Sequence, residues 1–86
     1  MNIDFTKPFN KQFEKLPIKK QEQARSAVAL FLQDAVAPSL RNHALKGEWL
    51  EHRSISAGGD LRLHFRVVDS NTVLFVAVGT HSQLYK

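Results

Sequence analysis

The sequence has no cysteine. That absence excludes a disulfide framework, a thiolate metal site and a cysteine nucleophile, and it fits a reducing compartment. Glycine and proline are scarce, with 4 and 3 residues, and no linker, repeat or low-complexity segment divides the chain. No apolar run approaches the roughly 18 residues of a membrane-spanning helix. The opening residues also lack a signal peptide's charged-then-apolar order. The expectation is a cytoplasmic protein that does not touch a membrane. What is present is 86 residues, 43% hydrophobic and 23% charged, the composition of one small globular domain over residues 1–86. Its 12 Lys and Arg against 8 Asp and Glu give a formal net charge of +4, which suits an anionic partner.

The two parts of the chain differ in period rather than in charge. Met1, Ile3 and Phe5 alternate with Asn2 and Asp4, as in a short strand. Thr6 is placed to cap a helix and Pro8 falls in its first turn, where a missing N–H costs little. Phe9, Phe13 and Leu16 then give that helix one apolar face, and Pro17 ends it. Ala24, Ala27, Val28, Phe31, Leu32 and Ala35 form the stripe of a second helix, with Lys19, Lys20, Glu22, Arg25 and Gln33 opposite. So short a break predicts an antiparallel helical hairpin. From Trp49 the period becomes two. Residues 49–57 read as a strand, Gly58-Gly59 as a turn, and residues 60–68 as the clearest strand. There Leu61, Leu63, Phe65 and Val67 face one way, and Arg62, His64 and Arg66 the other. After a turn at Asp69-Ser70-Asn71, residues 72–78 are apolar on both faces, as a covered central strand would be, until Gly79 breaks the run. The expected fold is α+β, in the order β-α-α-β-β-β, with the hairpin packed on one face of an antiparallel sheet.

Arg62, His64 and Arg66 recur at every second position, so they stand in a row suited to a phosphate backbone. Arg53 on the neighbouring strand and Lys46 in the preceding loop extend it. A merely solvated sheet face produces the same pattern. Four histidines are present: His43, His52, His64 and His81. Metal-free RNA cleavage needs a base for the 2′-OH, cations for the scissile phosphate and an acid for the 5′-oxygen. Histidines beside arginines supply all three, although His52 has no neighbour that suggests a role. The histidine spacing fits no common metal motif, and Glu48, Glu51, Asp60 and Asp69 are too dispersed for a two-metal nuclease. No cofactor or metal is expected. His81 and Tyr85 are four residues apart, so one helical turn places them together. Tyr85 could then stack on a base, or form with Leu84 a clasp over the sheet. Trp49 reads as a core residue, and Asp60 as the end of a turn or the partner of a nearby Arg or His.

The blocks Asn42-His43-Ala44-Leu45-Lys46-Gly47-Glu48-Trp49, Arg53-Ser54-Ile55, Gly59-Asp60-Leu61-Arg62 and Val78-Gly79-Thr80-His81-Ser82-Gln83-Leu84-Tyr85 together resemble the YafQ branch of the RelE/ParE toxin superfamily. The resemblance covers essentially the whole chain. It implies a RelE-like fold with a short C-terminal helix, and a metal-independent endoribonuclease that cuts mRNA on the translating ribosome and is inhibited by a cognate antitoxin. It places His43, Asp60, His81 and Tyr85 on the active face. With Arg62 these are the candidate catalytic residues. His81 leads as general acid or base and His43 is second, while Lys46, Arg53, His64 and Arg66 are the candidate phosphate contacts. The chain departs from many relatives at Ser56, where they have histidine, at Leu61, where they often have Trp, and at Arg62, where they tend to be apolar. The expected partners are mRNA, the ribosome, and an antitoxin whose acidic segment covers the basic face in a higher-order complex. Two other readings share the scaffold. One is a non-catalytic ParE-like binder of DNA gyrase, and the other is a decayed relative that only binds its antitoxin.

Overall fold

Thr6 opens the first helix as its position implies. Its Oγ1 accepts from Phe9 N at 3.2 Å and donates to Val76 O at 3.2 Å, so one hydroxyl caps the helix and fastens it to the sheet. The computed structural model describes residues 1–85. Strand β1 is Asn2–Phe5, helix α1 Lys7–Glu14 and helix α2 Ile18–Gln33. Pro17 precedes the first residue of α2, and the hairpin is tied by Gln21 Nε2 donating to Phe13 O at 3.0 Å and by the Arg25 guanidinium 5.1 Å from the Phe13 ring centre. The stripe of α2 is narrower than its sequence suggests. Ala24, Ala27 and Phe31 are buried, but Leu32 is 52% exposed, because one step along a helix rotates a side chain by about 100°.

The second half supplies β2 (His43–Ala44), β3 (Arg53–Ser56), β4 (Leu61–Asp69), β5 (Thr72–Thr80) and a final helix α3 (His81–Leu84). The sheet order is β1-β5-β4-β3-β2. The sheet is mixed rather than wholly antiparallel, since β1 lies parallel to β5 with Asn2 opposite Thr72 and Phe5 opposite Phe75. The doubly apolar β5 is interior, and β1 covers its otherwise open edge. The strand expected over 49–57 is shorter than its sequence pattern. Gly47–Trp49 forms a single tight 3-10 turn and Glu51 takes a left-handed φ of 71°, so extended chain begins only at Arg53. Two residues from before that turn, His43 and Ala44, pair with Ser54 and Arg53 as a strand that periodicity cannot reveal.

Bulges decide which side chains share a face. Along β4 and β5, His64 opposes Ala77 and Phe65 opposes Phe75, leaving Val76 as the extra residue. The slip exchanges the faces of β5 on either side of Val76. Val73, Phe75 and Val78 therefore all point to the helices, and Leu74, Ala77 and Gly79 point away. The core lies between this helix side and α1 and α2. Phe31 meets Phe65 and Phe75 edge-on, at centroid distances of 4.9 and 5.6 Å. Contacts of that geometry contribute roughly 0.5–1.5 kcal/mol each beyond their buried area.

Candidate active site on the open sheet face

The face away from the helices is built in rows. One row runs His43, Ser54, His64, Ala77 across β2 to β5, and the next runs Ser56, Arg62, Gly79. Ser54, Ser56, Ala77 and Gly79 are small, and they leave space above the sheet for Trp49 and α3. Gly79 does not break β5, which continues to Thr80. It is instead a point of close approach, because a Cβ there would lie 2.9 Å from Gln83 Oε1.

Helix α3 has only four residues and would fray without anchors. Thr80 and Gln83 form a capping box, with Gln83 N donating to Thr80 Oγ1 at 3.3 Å and Thr80 N donating to Gln83 Oε1 at 2.8 Å. His81 N donates to Asp60 O at 3.0 Å. Trp49 Nε1 donates to Leu84 O at 3.1 Å, and the Leu84 side chain is buried. His81 and Tyr85 come together as their spacing predicts, with ring centroids 4.3 Å apart and planes inclined at 33°. Asp60 thus serves α3 through its backbone, and its side chain is exposed.

Two of the expected phosphate contacts stand elsewhere. His64 is 0% exposed. The Trp49 ring meets it edge-on at 4.4 Å, and its Nε2 lies 3.3 Å from the Tyr85 hydroxyl. Burial first, then the charges of His52, His43 and His81, hold its pKa at about 4, so the ring is uncharged at neutral pH. It cannot serve as a cation in a solvent-facing row. Arg53 pairs in register with Phe65 and so belongs to the helix side, where its Nε donates to Asn42 Oδ1 at 2.8 Å. Alternation alone carries Arg53 away from Arg62, since Ser54 and Ser56 occupy the open-face positions of β3.

The remaining candidates stay on or beside the open face. Arg62 Nη1 donates to Gly59 O at 2.9 Å, Leu61 O at 3.0 Å and Ser56 Oγ at 3.2 Å. Its charge acts on Tyr85, against the burial that raises the phenol above its ordinary pKa. His43 is exposed, and its Nδ1 lies 2.8 Å from Arg41 O. A carbonyl only accepts, so in the neutral ring Nδ1 carries the hydrogen and Nε2 keeps a free lone pair. Arg66 is exposed opposite Leu74, one row beyond His64, and Lys46 is exposed at the start of the 3-10 turn. Among the described residues no three His, Cys, Asp or Glu side chains gather in a way that could hold a metal ion.

Trp49, His52 and Ser54 were not legible as part of this site. Trp49 is half-buried and spans His52, His64 and the end of α3. The available signal was general: a largely buried indole needs a partner for its N–H.

Comparison with known proteins bears on this arrangement. Residues 1–86 match the family model for the bacterial toxin of type II toxin-antitoxin systems, YafQ. The chain belongs to the YafQ family. YafQ from E. coli strain BL21(DE3) superposes with a TM-score of 0.81 at 19% identity, covering 99% of this chain and 98% of that one. YafQ in the E. coli DinJ-YafQ toxin-antitoxin complex gives 0.78 at 20% identity, covering 99% and 97%. A copper-bound mutant toxin from Helicobacter pylori gives 0.77 at 27% identity, covering 99% of each chain. The α+β fold with three helices and a five-stranded mixed sheet is thus that of the YafQ toxins. No curated protein matches the sequence. Among the described residues no helix is long and apolar enough to cross a membrane.

Proposed function

We propose that this YafQ-family toxin is a metal-independent endoribonuclease that cuts mRNA on the translating ribosome. The observation that carries the reading is the joint placement of Arg62, His81 and Tyr85 on the open face with His43, which lies two strands from Arg62. His43 Nε2 takes the proton of a 2′-OH, whose oxygen attacks the adjacent phosphorus. Arg62 stabilises the charge on the phosphate, with Lys46 and Arg66 gripping neighbouring phosphates. The P–O5′ bond breaks, protonated His81 supplies a proton to the leaving 5′-oxygen, and a 2′,3′-cyclic phosphate remains. Tyr85 stacks on a base beside the scissile bond, and Asp60 steadies the His81 backbone. Ser56, at the family's histidine position, is a hydrogen-bond acceptor for Arg62, which leaves the acid–base work to His43 and His81.

The DinJ-YafQ toxin-antitoxin complex supports an antitoxin partner for this chain; a higher-order assembly with it in the cytoplasm of a prokaryote is part of the same proposal. An acidic antitoxin segment across Arg62, Arg66 and Lys46 would block the same phosphates. RNA affinity is expected to fall with salt, with a log–log slope of about −0.7 per phosphate neutralised on a single strand. The test is induced expression without antitoxin, followed by mapping of mRNA ends. Ribosome-linked cuts support the reading. Intact mRNA together with inhibited DNA supercoiling would replace it with gyrase binding, and intact mRNA with antitoxin binding alone would mark a decayed enzyme.

A further inference from the structure

His64 is an expensive residue for its place. It lies within the sheet, fully buried, where an aliphatic side chain would carry no desolvation cost. Its neighbours on β4, Leu61, Leu63 and Phe65, are buried and apolar. The ring is pressed between Trp49, at 4.4 Å, and Tyr85, at 5.3 Å, and the one hydrogen bond it makes among the described residues is to the Tyr85 hydroxyl, at 3.3 Å. Its Nδ1 has no partner among the described residues, and neither has Ser54 Oγ, its direct cross-strand neighbour on the same face. A buried polar ring with a single side-chain partner thus depends on Tyr85 for that bond.

We propose that His64 is a positioning residue for Tyr85, holding the phenol hydroxyl at the sheet so that the ring stays fixed beside His81 where RNA is engaged. The inference rests on the ribonuclease reading for its consequence, though the contact itself can be tested without it. Tyr85 lies just past the last helical residue of α3, so backbone anchors at Asp60 and Leu84 do not fix its ring. Two points do: the stack on His81 and the bond to His64. Because His64 is uncharged, held so by burial first and then by the charges of His52, His43 and His81, it accepts or donates at Nε2 according to its tautomer. The Tyr85 oxygen can thus turn its proton toward RNA or its lone pairs, while the ring does not move.

Nitrogen-15 correlation spectra of the full chain test the contact directly. Tyr85→Phe is expected to shift the His64 Nε2 resonance while the chain stays folded. An unchanged His64 ring would overturn the proposal. Cleavage of ribosome-bound mRNA by this protein in a purified translation system tests the consequence. Tyr85→Phe and His64→Phe are each expected to lower kcat about tenfold, the size of one lost hydrogen bond. The double variant should lose no more than either single one, and His64→Gln, whose amide can reach the phenol, should recover part of the loss. Multiplying losses in the double variant would give His64 a merely structural role. A wild-type protein that cuts no RNA would defeat the ribonuclease reading alone, and the nitrogen spectra would still decide the His64–Tyr85 contact.

Discussion

The two faces of the sheet divide the ring-bearing residues almost completely. Phe5, Phe9, Phe13, Phe31, Phe65 and Phe75 form one chain of ring contacts on the helix side. His64, His81, Trp49, Tyr85 and His52 form another around the open face. Rings without polar atoms hold the fold together. Rings with a nitrogen or hydroxyl cover the opposite face, where each polar atom needs a partner or a task. The small β-sheet separates the two sets, and one strand, β4, feeds both by simple alternation. A substitution on one side should therefore act on stability, and one on the other side mainly on activity.

The largest expected effect is on the helix side. Phe75 is fully buried against Phe5, Phe9, Phe31 and Phe65. Phe75→Ala should cost about 3–5 kcal/mol in urea unfolding, a large share of the roughly 5–15 kcal/mol available to a small domain. Next is the pH response of the open face. The His64 pKa falls from 6.5 unfolded to about 4 folded. Between those values the unfolded chain binds the extra proton, so stability rises with pH from about 4 to 6.5 and is lost on acidification across the same window, by up to about 3 kcal/mol. His64→Phe should flatten that slope, which unfolding measured at several pH values would reveal. Trp49→Phe removes the bond to Leu84 O and should cost about 1 kcal/mol, with faster amide exchange at Tyr85 as the local sign. The smallest effect is expected at Arg53. Because its side chain belongs to the helix side, Arg53→Ala should leave mRNA cleavage within about twofold. A large loss of cleavage there would break the division between the faces.

Much of the architecture could be read from the chain because its signals are local. Thr6 and Pro8 announce α1, the spacing of Phe9 and Phe13 gives its buried face, and Leu61 to Val67 alternate without interruption. The same alternation correctly put Arg62, His64 and Arg66 on one face, but it could not tell a solvated face from a covered one. The cover comes from Trp49 and Tyr85, 15 residues before and 21 after His64, and periodicity carries no information across such distances. Arg53 failed for a different reason. The sequence pattern starts the strand at Trp49, and the charge of Arg53 does not reveal its parity against Ser54, which puts the two side chains on opposite faces. The bulge at Val76 is equally silent in sequence, since valines on both sides of it suit either face. His81 and Tyr85 were legible as a pair because their four-residue spacing is helical geometry.

The most direct measurement is cleavage of mRNA in a purified translation system by wild-type protein and by His81→Ala. His81 is exposed on α3, and its backbone N–H bond to Asp60 O survives loss of the side chain, so the substitution should change unfolding free energy by less than about 0.5 kcal/mol. Cleavage should fall by at least about 100-fold, as expected for loss of a general acid or base. Equal cleavage by a folded His81→Ala protein would contradict the assignment of the open face as the catalytic one.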